Sequence, residues 1–528
     1  MLYNIIFLVS ACIGLAFYFL RQRYSFWKRF NVPYIEPTFP FGNIRNLGKT
    51  IHAAKLFEKY YNELKGSGQF GGLYFFISPT VLATNLDFVK NVLIKDFNHF
   101  VSRGVYYNEE DDPLSGHLFA LDGEKWRGLR SKLSPTFTSG KMKFMFPIIV
   151  GVADELKNTI DSLIVSSTGE FEIKEVLARF TTDVIGSCAF GIECNSLKNE
   201  NSDFRKYGKL IFASPRNSFL KVLFMSMFRN WSRKLGMKVV ADDVSEFFIA
   251  SLKDTIKYRE ENNIKRNDFL NMMMQLMKQG KLDDEEETTK GILSFNETAA
   301  NCFVFFVAGF ETSSTTMMFC LFELSVNPDI QRKARQEVND VLEKHGGQFT
   351  YDAMMKMHYL DRCVQEALRK YPTVPLLIRQ CTKDYPVPNN DVTIPKGTSV
   401  LIPVYGIHHD PQIYSNPEVY DPERFLPEEV QKRHSLSYLP FGDGPRNCIG
   451  LRFGLMQTKV GLATILKNFQ LSPCSKSTNP LVIDAISPVL APEGGLWLNV
   501  KKIEELFFKK SKKNVILSIN QKNKACIG

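Results

Sequence analysis

The chain has 528 residues, 44% hydrophobic and 23% charged, with a formal net charge of +10, so it can bury a large core as one big domain or several ordinary ones. Part of the positive excess is terminal, eight lysines lying between Lys501 and Lys524, which argues for a solvated tail beside an anionic membrane or acidic partner and against nucleic-acid binding. Ten cysteines without a C-x-x-C or a paired framework speak against a disulfide scaffold and fit a reducing compartment.

Residues 2–20 carry no charge; as a helix they extend roughly 28 Å, close to the hydrocarbon thickness of a bilayer. Arg21, Arg23, Lys28 and Arg29 follow the apolar run, unlike a cleaved signal peptide, and keep that flank cytoplasmic. Residues 1–20 are therefore expected to form a transmembrane anchor, with the sequons at Asn230 and Asn296 unused. Residues 21–43, basic and then punctuated by Pro33, Pro37 and Pro40, are expected to be a stiff, extended linker. A catalytic body over 44–502 and a basic tail over 503–528 complete the division. Within the body, 71–82, 392–402 and 496–500 read as strands from their aromatic and β-branched content. Helices are expected to begin near Val150, Lys174, Ser294, Asp329, Asp352 and Ile449, giving a fold that is mainly α with a minor β-sheet region.

Four motifs carry chemistry or brace it. Trp126 and Arg130 stand four apart, on one helical face, and both donate to carboxylates. Ser294 to Glu297 fits a capping box, and no proline follows before Pro328, so one helix of roughly 50 Å can cross the domain. Its middle reads Ala308-Gly309-Phe310-Glu311-Thr312-Ser313. Ala308 and Gly309 let a flat cofactor approach the backbone. A Thr312 hydroxyl bonded one turn back opens a groove for dioxygen and water, to which Glu311 relays protons; ordinary packing explains an isolated Glu-Thr pair equally well. Glu366 and Arg369 form an ionic pair at i, i+3, with Arg424 as the expected third member of a buried network. Finally, residues 441–450 read F-x-x-G-x-R-x-C-x-G. Gly442 and Gly444 permit left-handed backbone, Pro445 stiffens the turn, and Arg446 offers a permanent cation to a carboxylate such as a haem propionate. Gly450 lets backbone amides approach the Cys448 sulfur, and the helix-compatible stretch behind it places that sulfur near a helix N-terminus, where a thiol pKa falls. Such a cysteine suits the proximal ligand of a haem iron, pushing electron density onto the metal and favouring O–O cleavage.

Other features are set aside. His408 and His409 are adjacent, so their side chains diverge, and no Glu/Cys cluster supports a metal. The acidic run 283–287 reads as a solvated loop. Gly442-x-Gly444 lacks the third glycine and the strand–helix setting of a dinucleotide site, so no NAD(P) site is expected and electrons must come from another protein.

The four motifs occur in one order along the chain, and on them it resembles a microsomal cytochrome P450 as far as about Ile503. That resemblance implies a single triangular haem domain behind an N-terminal transmembrane helix, with haem b ligated by Cys448. Trp126, Arg130, Arg379 and Arg446 would meet the propionates, with Arg103 a further candidate; Ala308, Phe441 and Gly450 would lie against the cofactor. Glu311 and Thr312 would handle protons during oxygen activation. The stretches 181–191 and 406–411 are most similar to insect enzymes of the xenobiotic-metabolising branch. The implied activity is insertion of one oxygen atom into a lipophilic small molecule at the endoplasmic reticulum membrane, with the catalytic domain cytosolic. NADPH-cytochrome P450 reductase is the implied electron donor, cytochrome b5 a second one, docking near Arg127, Lys132, Arg446 and Arg452. Substrate contacts are expected from Phe305, Phe306, Phe310, 373–378 and 486–490, and a bilayer contact from 223–228. Two alternatives stay open: a haem-thiolate isomerase or dehydratase needing no dioxygen, and a non-enzymatic haem sensor or lipophile carrier.

Overall fold

The computed structural model describes residues 2–213, 219–284 and 291–503; the tail from 504 onward and the end of the acidic run lie outside them. The helices that frame the site are, in chain order, α1 (Leu2–Tyr24), α2 (Gly123–Leu133), α3 (Ser139–Ser167), α4 (Ile173–Ile185), α5 (Phe219–Met227), α6 (Arg229–Lys234), α7 (Phe295–Val326), α8 (His358–Lys370) and α9 (Leu451–Asn468). The strands are β1 (Phe70–Phe75), β2 (Ser78–Ala83), β3 (Glu170–Glu172), β4 (Leu377–Gln380), β5 (Tyr385–Pro386), β6 (Thr393–Ile394), β7 (Ser399–Ile402), β8 (Phe469–Pro473) and β9 (Trp497–Lys502). One sheet runs β1-β2-β7-β4, a second β3-β9-β8, and β5 pairs with β6. The body is mainly helical with minor sheets.

Helix α7 is the axis of the larger core. The Ser294 hydroxyl accepts from the Glu297 amide at 3.1 Å while the Glu297 carboxylate accepts from the Ser294 amide at 2.8 Å, closing the capping box that starts the helix. Pro328 ends it by removing the next amide donor. Two-thirds of its most apolar window is buried, as befits a helix that is hydrophobic nearly all round and serves as a core element. It packs on α4 and α9. Gly461 of α9 permits that closeness, since a Cβ there would meet Met317 Sδ at 2.6 Å and Phe180 at 3.0 Å.

Several elements differ from expectation. The helix placed near Val150 begins at Ser139 and runs through Pro147. The one placed near Asp352 is a single turn, Tyr351–Met355, followed by α8. The strand over 71–82 is a hairpin that turns at Phe76, φ 52°, and the strand over 392–402 is two pieces separated by a turn through Gly397 at φ 91°.

The segment expected to be a spacer is instead fastened to the sheet. Trp27 is fully buried, and its Nε1 donates to Leu73 O at 2.9 Å. Gly72 has no room for a Cβ, which would lie 2.4 Å from the Trp27 ring. The Ile35 amide donates to Gly72 O at 3.1 Å and the Gly72 amide to Pro33 O at 2.8 Å. Tyr74 completes the fastening: its hydroxyl donates to Tyr24 O at 2.8 Å and its amide to Asn43 Oδ1 at 2.7 Å. The extended chain that the prolines favour is the form that satisfies the unpaired groups of an edge strand.

Candidate active site

Helix α7, the loop before α9, helix α2, the 103–119 loop and the 373–379 segment enclose one cavity. Arg103, Trp126, Arg130, Ala308, Arg379, Phe441, Arg446, Cys448 and Gly450 all line it, and Thr312 faces it from α7. Phe119, Phe137, Ile185, Phe269, Phe305 and Leu376 supply apolar walls.

The cysteine loop owes its shape to two glycines. Gly442 and Gly444 adopt φ of 66° and 72°, and a Cβ on Gly444 would also strike the carbonyl of Leu93. The Cys448 amide donates to Phe441 O at 2.9 Å. The Cys448 side chain is open to the cavity yet deep below the molecular surface. Its thiol is pushed up from the ordinary value, because burial outweighs the opposing pull of the Gly450 amide, Arg130 and Arg103. The lowered thiol pKa expected from the helix terminus is thus not met by the protein's own groups. Burial in low dielectric penalises the anion more than one helix end stabilises it.

Four arginines converge on the cavity. Arg103 donates to Phe119 O at 3.0 Å and Arg446 O at 3.1 Å, and Arg130 to Asn447 O at 3.1 Å and Asn447 Oδ1 at 2.8 Å. The Arg446 guanidinium lies 4.2 Å from the Trp126 ring centroid. Among the described residues no carboxylate pairs with any of the four, and Arg379 Nε, Arg446 Nε and Arg446 Nη1 are buried without a partner. Burial, followed by mutual repulsion, presses Arg379 down to about 9 and Arg446 to about 8. Unanswered cations beside an apolar cavity with a cysteine on one wall fit a flat, greasy group bearing two carboxylates, and haem b is such a group.

On α7, Phe305, Ala308, Gly309, Thr312 and Thr316 share the cavity face, the i, i+3, i+4 spacing of one helical stripe. Thr312 Oγ1 donates to Ala308 O at 2.8 Å, as expected, and the helix stays continuous. Glu311 departs from its expected place. One residue round the helix from Thr312, it misses the cavity, and its carboxylate is held by Lys174 of α4 at 2.6 Å. Phe306 and Phe310 also point away; Phe306 packs among Phe248, Phe204 and Phe190 at ring separations of 5.0, 5.6 and 6.1 Å. In the 373–378 stretch, Thr373, Val374, Leu376, Leu377 and Ile378 do reach the cavity. The 486–490 stretch does not: Ile486 is exposed, Leu490 is buried, and Ser487 O is bound by His52. Arg446, 2% exposed, adds nothing to a docking face, whereas Arg452 is exposed and Arg127 and Lys132 half-exposed.

The bracing network is present. Glu366 receives Arg369 at 2.7 and 2.8 Å, and Arg424 Nε stands 3.3 Å away as an ion pair without a hydrogen bond, with the Glu366 and Arg369 side chains fully buried. His408 extends it. The Leu439 amide donates to His408 Nε2 at 2.9 Å, so Nδ1 carries the proton toward Arg369 O at 3.1 Å, and burial pushes this ring down to about 3. His408 therefore has a structural use, linking α8 to the segment that leads into the cysteine loop. Gln457 of α9 is a cavity residue that the motifs did not point to. Its signal was an amide on an otherwise apolar stripe following the cysteine.

A sequence profile described as Cytochrome P450 matches residues 33–498. The chain is 47% identical over 507 residues to the probable cytochrome P450 6a14 of Drosophila melanogaster, covering 94% of this chain and 99% of that protein. It is 46% identical to cytochrome P450 6A1 of Musca domestica, with 95% and 98% covered, and 44% identical to cytochrome P450 6a2 of Drosophila melanogaster, with 95% and 100% covered.

Proposed function

Given that the chain belongs to the cytochrome P450 family and is a haem-thiolate monooxygenase, we propose that it oxidises uncharged lipophilic small molecules, xenobiotics among them, at the endoplasmic reticulum membrane. Electrons come from NADPH through a separate reductase. The observation that carries this reading is the set of four arginines, Arg379 and Arg446 buried and none of them in an ion pair among the described residues, around a cavity with Cys448 on one wall and Thr312 on another. Cys448 is assigned as the iron ligand. Arg103, Arg130, Arg379, Arg446 and the Trp126 indole take the two carboxylates, with Ala308, Phe441 and Gly450 against the ring. Haem, when bound, supplies the reduction of dioxygen and the oxygen insertion that amino-acid side chains lack.

The chain's own residues do the rest. Thr312 holds a proton on the cavity face of α7, and rotation of its hydroxyl away from Ala308 O frees that proton for the cavity. Phe119, Val374, Leu376 and Ile378 exclude water and favour apolar substrates. Among the described residues no Asp or Glu lines the cavity, so none of them compensates an ammonium there, and neutral molecules are preferred over basic amines. Exposed Phe224, Met227 and Phe228, with Trp231 and Leu235 beside them, give the α5–α6 region an apolar face for the bilayer, next to the anchoring role assigned to α1. Arg127, Lys132 and Arg452, near the Cys448 loop, offer the reductase a positive face. The test is the carbon-monoxide spectrum of the reduced protein: a strongly red-shifted Soret band is expected, and is lost in Cys448→Ser. Folded, haem-loaded protein without that band refutes the assignment. Reductase-dependent oxidation of paired neutral and amine substrates then checks the preference.

A further inference from the structure

Three consecutive carbonyls of α7, on the turn that faces the cavity, each receive a side-chain donor. Thr312 Oγ1 reaches Ala308 O at 2.8 Å, Gln457 Nε2 of α9 reaches Gly309 O at 2.8 Å, and Thr181 Oγ1 of α4 reaches Phe310 O at 2.9 Å. Successive residues fan round a helix by about 100°, so the donors meet the turn from different sides. An α-helix already satisfies its interior carbonyls, and these additional bonds fix where the turn sits.

The turn needs such a hold. Gly309 costs a helix about 1 kcal/mol relative to Ala, and Ala has no easy place there, since a Cβ would lie 3.0 Å from Ile185. Both donors from neighbouring helices are fully buried, where a hydrogen bond is strong and its loss leaves polar groups stranded. The single hydroxyl proton of Thr181 has its nearest acceptor across the helix interface, ahead of Leu177 O at 3.1 Å in its own helix. Gln457 Nε2 also lies 2.6 Å from Ser313 Oγ, while its Oε1 is buried with no partner in a residue that lines the cavity. An acceptor of that kind ordinarily meets an ordered water.

We propose that Gln457 and Thr181 are positioning residues that clasp the 308–312 turn from α9 and α4 and set where Thr312 meets the reacting ligand. The last clause rests on the monooxygenase reading above; the clasp itself does not. Amide hydrogen exchange across 308–316 in full-length, haem-loaded protein tests it, with Gln457→Leu and Thr181→Val as variants. Exchange in that stretch is expected to rise about tenfold, with α3 unchanged as the internal control. In the same variants the C–O stretching band of the reduced carbon-monoxide complex shifts while the Soret band stays, and Thr181→Ser restores the parent values. Unchanged exchange in both variants overturns the clasp, as does a rise shared by every helix. Should Gln457→Leu not accumulate as folded protein, Thr181→Val measured against Thr181→Ser decides alone. A parent protein lacking the red-shifted band would refute the functional reading, and the exchange measurement would still decide the clasp.

Discussion

Arg379 and Arg446 hold their charge where, among the described residues, no carboxylate forms an ion pair with either. A guanidinium does not give up its proton, so the downward pressure on both measures unrelieved charge, which a dianionic ligand relieves. Arg379→Gln is expected to speed haem release about tenfold, the scale of one charge-assisted hydrogen bond, read by transfer of haem to a scavenging globin. An unaltered release rate would remove Arg379 from the carboxylate site. Arg446 was legible in the sequence as part of the cysteine motif, whereas Arg379, an isolated arginine, entered only through the family resemblance. Glu311 and Phe306 lie off the cavity face because one step round a helix is about 100°: their neighbours Thr312 and Phe305 face the cavity, and they themselves face α4 and an aromatic cluster. The stripe 305, 308, 309, 312 already held that information.

At the scale of elements, the cysteine loop and the helices that grip it stand or fall together. Gly444→Ala brings both a left-handed backbone strain and a clash with the Leu93 backbone, an obstacle no side-chain rotation removes. The expected outcome is loss of the red-shifted band in protein that otherwise retains its helix content by circular dichroism. Glu366→Gln leaves Arg369 charged and buried. Breaking such a pair from one side costs about 3–5 kcal/mol, expected as a large drop in melting temperature and checked by calorimetry. The fold's main helices were visible as apolar runs with caps, Ser294 foremost. The start of α3 was not, because Pro147 inside it reads as a break. The hairpin and the β6–β7 split were hidden for a different reason: single residues with positive φ, Phe76 and Gly397, divide what composition presents as one strand.

For the whole molecule, the arrangement joins a proposed anchor, an exposed apolar region near α6 and a buried cavity in one body. A chain lacking residues 1–20 is expected to keep weak binding to neutral phospholipid vesicles. Trp231→Ser with Leu235→Ser should lower it more than tenfold, since each buried large apolar side chain contributes about 1.5–3 kcal/mol. Sedimentation with vesicles reads the difference, and equal partitioning of the two forms would assign those side chains to packing alone. The fastening of Tyr24 and Trp27 to β1 gives this a geometric meaning. Were α1 to sit in a bilayer as proposed, these bonds would leave the stem little freedom against the body, which would not swivel above the membrane like a float on a line. It would ride at a set tilt and height, presenting the same face to the lipid in every turnover.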